Sequence, residues 1–470
     1  MRVVLFRPPV FGPKEFPVVV DLGLLYLAKA LRQAEIPVAV RDGHLETKPE
    51  RGYALDLVTG DEPVLVGIKL FSLGIAHARR AIANIKKINP RAVTVVGGPH
   101  PSGVAGQLWR DVPEADFGWT GEGEIGLPKL VRALEAGGRD EDLAQVPGLV
   151  WRRDEKAVVN APAFLDDLDA LDQPAWDAVP VAGYLARPTP IRKQPHLSIL
   201  TSRGCPFDCS YCAGRLITGR RMRFRSGEKV VDEMAMLRER YGVTTFAITD
   251  DNFSLNQRHV EGFCHALIDR DLPGVRWDCL ATGLRLDSLS ADLLRLMERS
   301  GCYACSVAVE SGSPRVLEHM QKGVDLDTMR EAIALIRRTT KMRVNTYFIL
   351  GYPTETRADL RASIRFARRS GAHHAQFFLF TPLPGAPITD ILRETGKLPA
   401  VPWEKFRFDR PSVPLVDVSL AGLKRRQIWA TLSFYFSRPW RLAALVRDVW
   451  SPAVVRDVFR RLLALFVGRK

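Results

Sequence analysis

The chain has 470 residues, 46% of them hydrophobic and 26% charged, which excludes a disordered or fibrous protein. This length suits two or three domains, and the net charge is +14. The seven cysteines are too few and too clustered for a disulfide framework, so we expect a protein of the reducing cytosol with metal-binding thiols. The sequence has no apolar run near the roughly 18 residues of a membrane span, and its N-terminus lacks a signal-peptide pattern.

Residues 1–140 alternate between strand-like and helix-like patterns. Short apolar runs begin at Val3, Val38, Val64 and Val93, and an amphipathic helix follows Asp21, which is placed to cap it. Such alternation predicts an α/β fold with a doubly wound parallel sheet. Ligands of these sheets bind beyond the carboxyl ends of the strands. The candidate ligand-binding residues at this rim are Ser72, Gly97, Gly98 and Pro99.

The rest of the chain divides into three segments. Residues 141–194 are rich in Pro and Asp with little periodicity, which predicts a linker packed over the surface. Residues 195–400 contain six strand-like runs separated by helical segments, as expected of a partial (β/α)₆ barrel with its chemistry at the carboxyl ends of the strands. Residues 401–470 form a basic, aromatic region with helical character.

The most specific feature is a C-x₃-C-x₂-C spacing formed by Cys205, Cys209 and Cys212 directly after a predicted strand. Three thiolates on one loop can bind three irons of an iron–sulfur cube and leave the fourth iron open to a small ligand. A structural zinc site would prefer four protein ligands. A second pair, Cys302 and Cys305, falls at the start of an apolar strand, so we interpret it as two ordinary buried cysteines.

The cysteine triplet, with Tyr211 just before its last cysteine, resembles the cluster loop of the radical S-adenosylmethionine (SAM) superfamily. This resemblance implies a [4Fe–4S] cluster whose open iron binds SAM and whose electron cleaves SAM to a 5′-deoxyadenosyl radical. It places Tyr211 near the adenine, and it implies a reducing electron donor such as flavodoxin or ferredoxin.

Two later segments agree with this resemblance in order and position. Residues 246–252 resemble the second-strand segment that faces the amino acid part of SAM, and residues 306–313 resemble the fourth-strand segment whose Glu reaches the ribose hydroxyls. The carboxylates in both segments could instead cap helices, and this alternative stays open. The SAM-binding candidates are Asp250, Asp251, Glu310 and Ser311.

The N-terminal segment resembles the cobalamin-binding domain found ahead of many radical SAM barrels. The matching stretches are residues 23–28, 96–102 and 121–124, the last of which supplies the candidate Glu122. One departure is that the Asp-x-His-x-x-Gly motif is missing after the first strand. His44 follows the second strand and lacks the glycine, so we expect that it is not a cobalt ligand.

These resemblances imply a cobalamin-dependent radical SAM enzyme, with a methyltransferase that alkylates an unactivated carbon as the leading hypothesis. The alternatives are an oxidative cyclase or ring-rearranging enzyme without methyl transfer, and a corrinoid sensor without catalysis. We expect a small-molecule substrate, either a lipid or a specialised metabolite.

The C-terminal region has two interpretations. Residues 421–470 contain eleven Lys and Arg against two Asp and Glu, interleaved with aromatic residues. These helices could cover the barrel with their aromatic faces, or they could lie on an anionic membrane surface with Trp and Phe among the headgroups. No nucleic-acid-binding module is recognisable, so we expect no nucleic-acid partner.

Overall fold

The first domain is built on a doubly wound sheet, as predicted. The computed structural model describes all residues except 10–18, 47–55, 57, 61, 186–195, 287–288, 399–401, 407–412 and 450–470. The described residues of this domain form one seven-stranded sheet in the order β2-β1-β3-β4-β5-β6-β7, parallel from β2 to β5. Its strands are β1 (Arg2–Arg7), β2 (Val38–Asp42), β3 (Val64–Lys69), β4 (Val93–Gly97), β5 (Phe117–Trp119), β6 (Leu149–Arg153) and β7 (Lys156–Val159).

Both faces of the sheet are buried at its central strands. Along β1, Val4 and Phe6 join one apolar cluster while Val3 and Leu5 join another, because successive side chains of a strand point to opposite faces. Asp21 accepts a hydrogen bond from the backbone N–H of Leu24 at 3.2 Å and so caps the first helix, as predicted. The helices of this domain are α1 (Leu22–Gln33), α2 (Ile75–Ile88), α3 (Pro99–Val104), α4 (Leu108–Asp111), α5 (Gly126–Glu135) and α6 (Asp140–Leu143).

The sheet extends into the segment that the sequence suggests is a linker. Strands β6 and β7 add an antiparallel hairpin to the edge of the sheet beyond β5. Only the first half of β6 is buried, and β7 is mostly exposed, so the hairpin lacks the apolar periodicity that a central strand shows.

The remainder of this segment binds to both domains. Tyr184, in α7 (Val181–Leu185), donates a 2.7 Å hydrogen bond to Asp42 of the first domain. Trp176 donates through its indole N–H to Glu233 of the second domain at 2.9 Å. The segment therefore attaches the two domains to each other by buried polar contacts as well as by chain connectivity.

The second domain confirms the expected barrel strands. Among the described residues, one six-stranded parallel sheet has the order β15-β14-β13-β12-β11-β8, and a short antiparallel pair joins β9 to β10 beside it. Its strands are β8 (Leu197–Ile199), β9 (Ser202–Arg203), β10 (Arg223–Phe224), β11 (Thr245–Ile248), β12 (Arg276–Cys279), β13 (Cys302–Glu310), β14 (Arg343–Leu350) and β15 (His374–Leu379).

Helices follow the barrel strands and cover the outside of the sheet. One large apolar cluster joins the strands to these helices, and it includes the buried residues Cys302 and Cys305, as predicted. The helices are α8 (Arg215–Thr218), α9 (Gly227–Tyr241), α10 (Gln257–Arg270), α11 (Ala291–Arg299), α12 (Pro314–His319), α13 (Leu326–Thr339), α14 (Arg357–Arg369) and α15 (Pro387–Glu394).

The C-terminal region adds two helices, α16 (Leu420–Phe436) and α17 (Pro439–Val449). One face of α16 is packed against the barrel, where Ala430 and Phe434 are fully buried and Gln427 donates to the carbonyl of Phe377 at 2.6 Å. The opposite face leaves Trp429 63% exposed and Phe436 68% exposed. Among the described residues we find no helix with the length and apolar character that a bilayer crossing needs. The predicted basic cluster near Arg460 lies outside the described residues.

Candidate cofactor site between the two domains

The three cysteines lie on a loop that begins directly after β9 and is held at both ends. Gly204 has φ of +99°, and a Cβ there would lie 2.3 Å from the carbonyl oxygen of Arg221, so only glycine fits. Ser210, between the second and third cysteines, donates its N–H to the carbonyl of Met320 at 3.0 Å and accepts from the N–H of Ile388 at 2.9 Å. The loop is therefore positioned by backbone contacts to two other parts of the barrel.

The cysteines suit an iron–sulfur cluster better than a single metal ion. Cys205 and Cys209 are half-buried, and Cys212 is exposed. Burial raises the pKa of Cys205 and of Cys212, and the neighbouring thiols raise both further, so the sulfurs need positive charge nearby to become thiolates. No three His, Cys, Asp or Glu side chains in the described part of the chain converge on a single ion. An iron–sulfur cube does not need its thiolates to converge on one ion, because each thiolate binds a different iron.

The two acidic residues after β11 have different environments. Asp250 is buried, and its carboxylate accepts hydrogen bonds from the N–H and hydroxyl of Thr201 and from the hydroxyl of Ser202. Burial raises its pKa to about 6. Asp251 is exposed and accepts from Gly204 N–H at 3.1 Å beside the first cysteine. The structure thus brings Asp251 to the cluster loop and turns Asp250 toward the strand that leads into it.

Glu310 ends β13 in a strained conformation. Its φ is +63°, a region that residues other than glycine rarely adopt, and the strand register shifts between Ala308 and Glu310. Its carboxylate accepts from the hydroxyl of Tyr211 at 3.0 Å and from the ammonium of Lys322 at 3.1 Å. The two predicted residues Tyr211 and Glu310 are therefore in contact, while the sequence pattern gave no sign of Lys322. Strain of this kind is typical of functional sites.

Ser311 follows Glu310 but points into the packing of the barrel. Its hydroxyl lies 3.3 Å from that of Ser363 and accepts from the N–H of Ser313 at 3.2 Å. These contacts support the chain where it turns out of β13. The role of Ser311 as a cofactor-binding residue stays a prediction.

A cavity of about 500 Å³ lies between the two domains. Its first-domain wall includes Gly97, Gly98 and Trp119, and its second-domain wall includes Ile217 and Asp251. Most of the lining is apolar, and the volume is that of a small-molecule or cofactor pocket. The cavity joins the strand ends of the first sheet to the cluster loop.

Some of the predicted rim residues of the first domain line the cavity, and others do not. Gly98 has φ of +105°, and an added Cβ would come within 3.2 Å of the carbonyl oxygen of Leu70, so the cavity wall needs glycine there. Pro99 instead starts α3, and the hydroxyl of Ser72 lies 3.0 Å from Nδ1 of the buried His100. Neither Ser72 nor Pro99 is among the described residues that line the cavity.

No histidine is found among the described residues that line this cavity. His44 places its Nδ1 3.1 Å from Asp42, whose carboxylate also accepts a 3.0 Å hydrogen bond from Nε of Arg7. His44 therefore contacts Asp42 and does not line the cavity, and the expectation that it is not a cobalt ligand stays a prediction.

Glu122 lines the cavity, but its carboxylate is bound by protein. The guanidinium of Arg223 donates to both of its oxygens at 2.8 Å, and Arg203 lies 3.3 Å from one of them. Glu124 accepts from Arg203 at 2.7 Å. Neither arginine could be predicted as a site residue, because nothing in a single sequence indicates which of many basic residues will be buried.

Two families match the chain in this order. The B12 binding domain family matches residues 17–131, and the radical SAM superfamily matches residues 199–367. The first match covers strands β2 to β5 of the doubly wound sheet, and the second covers the cluster loop and barrel strands β9 to β14.

Relatives of known name include both methyltransferases and cyclases. The chain is 28% identical to an uncharacterized methyltransferase (PH0819) of Pyrococcus horikoshii, over 99% of both chains. It is 29% identical to cytidylyl-2-hydroxyethylphosphonate methyltransferase of Streptomyces wedmorensis, over 79% of this chain and 77% of that protein. It is also 29% identical to the anaerobic magnesium-protoporphyrin IX monomethyl ester cyclase of Rubrivivax gelatinosus, over 75% of this chain but only 62% of the cyclase.

A solved structure has the same fold. The radical SAM methyltransferase TsrM of Kitasatospora setae, solved with cobalamin and a [4Fe–4S] cluster bound, superimposes with a TM-score of 0.69 at 20% identity and covers 96% of this chain and 89% of its own. The matched families, the shared fold and the cysteine loop at the cavity agree with one another. The chain carries a B12-binding domain followed by a radical SAM domain.

Proposed function

We propose that this chain is a cobalamin-dependent radical SAM methyltransferase that alkylates an unactivated carbon of a small molecule. The observation that carries the proposal is that one cavity is bordered both by the strand ends of the B12-binding domain and by Asp251 at the cluster loop. Two methyltransferases among the named relatives support methyl transfer as the chemistry.

The residues around the cavity fit the groups that this family uses. When bound, a [4Fe–4S] cluster with SAM supplies a 5′-deoxyadenosyl radical, and cobalamin supplies the methyl group. We assign the cluster to Cys205, Cys209 and Cys212. Glu310 would accept hydrogen bonds from the ribose hydroxyls of SAM, and Tyr211 holds that carboxylate in place. The apolar lining of the cavity would exclude water from reactive species.

The first-domain wall fits a large flat ligand. Gly97 and Gly98 present backbone without side chains, so a ring can approach the strand ends closely. We propose these two glycines as cobalamin-binding residues.

The alternative is a cyclase that uses the same groups without methyl transfer, as the name of the Rubrivivax relative suggests. The products of SAM separate the two functions. Methyl transfer leaves S-adenosylhomocysteine, whereas radical initiation leaves 5′-deoxyadenosine. We expect reconstituted enzyme with cobalamin and a reductant to form both products. Formation of 5′-deoxyadenosine without S-adenosylhomocysteine would favour the cyclase.

The chemistry requires a reducing partner. We propose a small one-electron carrier of the flavodoxin or ferredoxin class, because cleavage of SAM needs an electron that the described residues alone do not supply. Omission of the reductant should therefore abolish 5′-deoxyadenosine formation.

We also propose that α16 contacts an anionic membrane surface from a cytoplasmic location. Its outward face carries Trp429 and Phe436, seven residues apart and so on the same side of the helix. The strongly basic residues 421–470 supply charge complementary to anionic headgroups. Such contact would suit a lipid substrate, and its absence would favour a soluble metabolite.

A further inference from the structure

A buried group of two arginines and two glutamates joins the domains beside the cluster loop. We call Glu122, Glu124, Arg203 and Arg223 the interdomain ion network. Their side chains are each at most 5% exposed. The glutamates follow β5 of the B12-binding domain, whereas the arginines belong to β9 and β10 of the radical SAM domain. The network therefore connects the first-domain cavity wall to the β9–β10 strand pair, and β9 leads directly into the cysteine loop.

The arginines need these glutamates. Arg203 and Arg223 are directly paired across the antiparallel strands β9 and β10, which brings two like charges together in a buried place. Glu122 binds Arg223 through both oxygens at 2.8 Å, and Glu124 binds Arg203 at 2.7 Å. Two positive and two negative charges then balance, which is what burial of charge requires.

Aromatic rings complete the enclosure of the guanidinium groups. Arg203 lies 4.7 Å from the ring centroid of Tyr26 in the first domain, and Arg223 lies 5.3 Å from that of Phe164 in the connecting segment. Arg223 also donates to the carbonyl of Leu165 at 2.8 Å. Each arginine is thus held by the domain opposite its own or by the connecting segment, so a shift of one domain would break several buried contacts together.

One member of the interdomain ion network, Arg203, lies next to the cluster loop in the sequence. Arg203 is separated from the first cysteine only by Gly204, whose backbone conformation is fixed by its positive φ. Glu122, Glu124 and Arg203 also form part of the cavity wall. A displacement of Arg203 would move both the wall and the start of the cluster loop.

We propose that the interdomain ion network is a positioning device that sets the cluster loop relative to the B12-binding wall, and that Glu122 and Glu124 act through the arginines and not as cofactor ligands. This inference rests on the proposed function for its purpose, but the network itself can be tested without turnover. Arg203 and Glu124 are its central pair, because they link the two domains directly.

The test is hydrogen–deuterium exchange of the full-length chain, followed in peptides that span residues 201–212. The variants are Glu124→Gln, which removes one buried charge, and Glu124→Asp, which keeps it. The matched control is Arg79→Gln, which removes an exposed bidentate pair with Glu114 in the same domain. We expect exchange in this segment to rise at least tenfold in Glu124→Gln and less in Glu124→Asp, and to stay within twofold of wild type in Arg79→Gln.

A double variant covers the case in which Glu124→Gln does not fold. Arg203→Met with Glu124→Leu removes both charges of the pair together, which avoids an unpaired buried ion. We expect it to fold and to show the same fast exchange in residues 201–212. Wild-type protection of that segment in either variant, or faster exchange spread evenly over the whole chain, would overturn the proposal.

Binding of cobalamin distinguishes positioning from direct ligation. If Glu124 touched the cofactor, Glu124→Gln would weaken cobalamin binding while the exchange of residues 201–212 stayed unchanged, which would also overturn the proposal. If wild-type enzyme forms no S-adenosylhomocysteine, the proposed function fails, yet the exchange pattern still decides whether the network positions the loop.

Discussion

At the scale of single residues, the candidate site depends on a few side chains in unusual states. Glu310 combines a positive φ with a buried carboxylate that is shared by a tyrosine and a lysine. A structural helix cap needs neither feature. The combination favours the ligand-binding interpretation over the capping interpretation that the sequence left open.

The backbone strain at Glu310 can be measured. Glu310→Gly and Glu310→Ala both remove the carboxylate, but only glycine relieves the positive φ. We expect Glu310→Gly to be about 1 kcal/mol more stable than Glu310→Ala in urea unfolding, since a left-handed conformation costs about that much with a Cβ. Both variants should lose 5′-deoxyadenosine formation. Equal stability of the two would contradict the strain, and full activity in either would contradict the role.

The buried carboxyl group of Glu355 should make the stability of the folded protein depend on pH. Burial raises its pKa to about 8, Asp359 adds to the rise and Arg315 opposes it. One of its oxygens has no hydrogen-bond partner, and the other accepts from the N–H groups of Gly351 and Tyr352. Between the ordinary pKa of 4.5 and about 8 the folded state keeps a proton that the unfolded state releases, so stability falls as pH rises.

Glu355→Gln should remove this dependence, because glutamine is neutral at every pH. We expect the variant to gain stability relative to wild type as the pH is raised from 5 to 8, measured by urea midpoints at both values. A constant difference between the two proteins across this range would show that Glu355 does not titrate in it.

Some residues of the candidate site could be predicted from the sequence, and others could not. The cysteines, Tyr211 and Glu310 belong to local motifs whose spacing has chemical meaning by itself. Asp250 and Asp251 are adjacent and chemically identical, and only the fold decides that one bonds inward and the other outward. Lys322 and Arg203 come from separate elements, so their contacts with site residues depend on tertiary structure.

At the scale of elements, strands and helices with buried apolar faces were predicted correctly, whereas the hairpin of β6 and β7 was not. Its residues are partly exposed and its pairing is at the edge of the sheet, where burial imposes little pattern. For α16 the sequence left two interpretations open, which were packing against the barrel and contact with a membrane surface. The buried Ala430 and Phe434 establish packing for one face, and the other face remains the subject of our proposal.

The membrane proposal for α16 predicts a specific loss of binding. Trp429→Ala with Phe436→Ala should reduce cosedimentation with vesicles of phosphatidylserine and phosphatidylcholine at least fivefold, since each aromatic loses burial in the headgroup layer. Stability should change little, because both side chains are mostly exposed. Ile391→Ala, an exposed apolar residue on α15, is the control. Equal vesicle binding by wild type and the double variant would contradict the proposal.

At the scale of the whole molecule, function follows from the way two separately recognisable domains share one cavity. Each domain alone presents only half of a site: a glycine-rich sheet edge in one and a cysteine loop in the other. The connecting segment and the interdomain ion network hold these halves together through buried polar contacts. Neither the sharing of the cavity nor the network could be predicted from the sequence, because both depend on how the domains dock.

The most direct test of the account is anaerobic reconstitution with iron and sulfide, compared between wild type and a variant with Cys205, Cys209 and Cys212 all replaced by Ala. We expect wild type to bind about four irons and four sulfides per chain with the visible absorption of a [4Fe–4S] cluster, and the variant to bind neither while it stays folded. Wild-type protein without bound iron and sulfide, or a variant that keeps its cluster, would contradict the account.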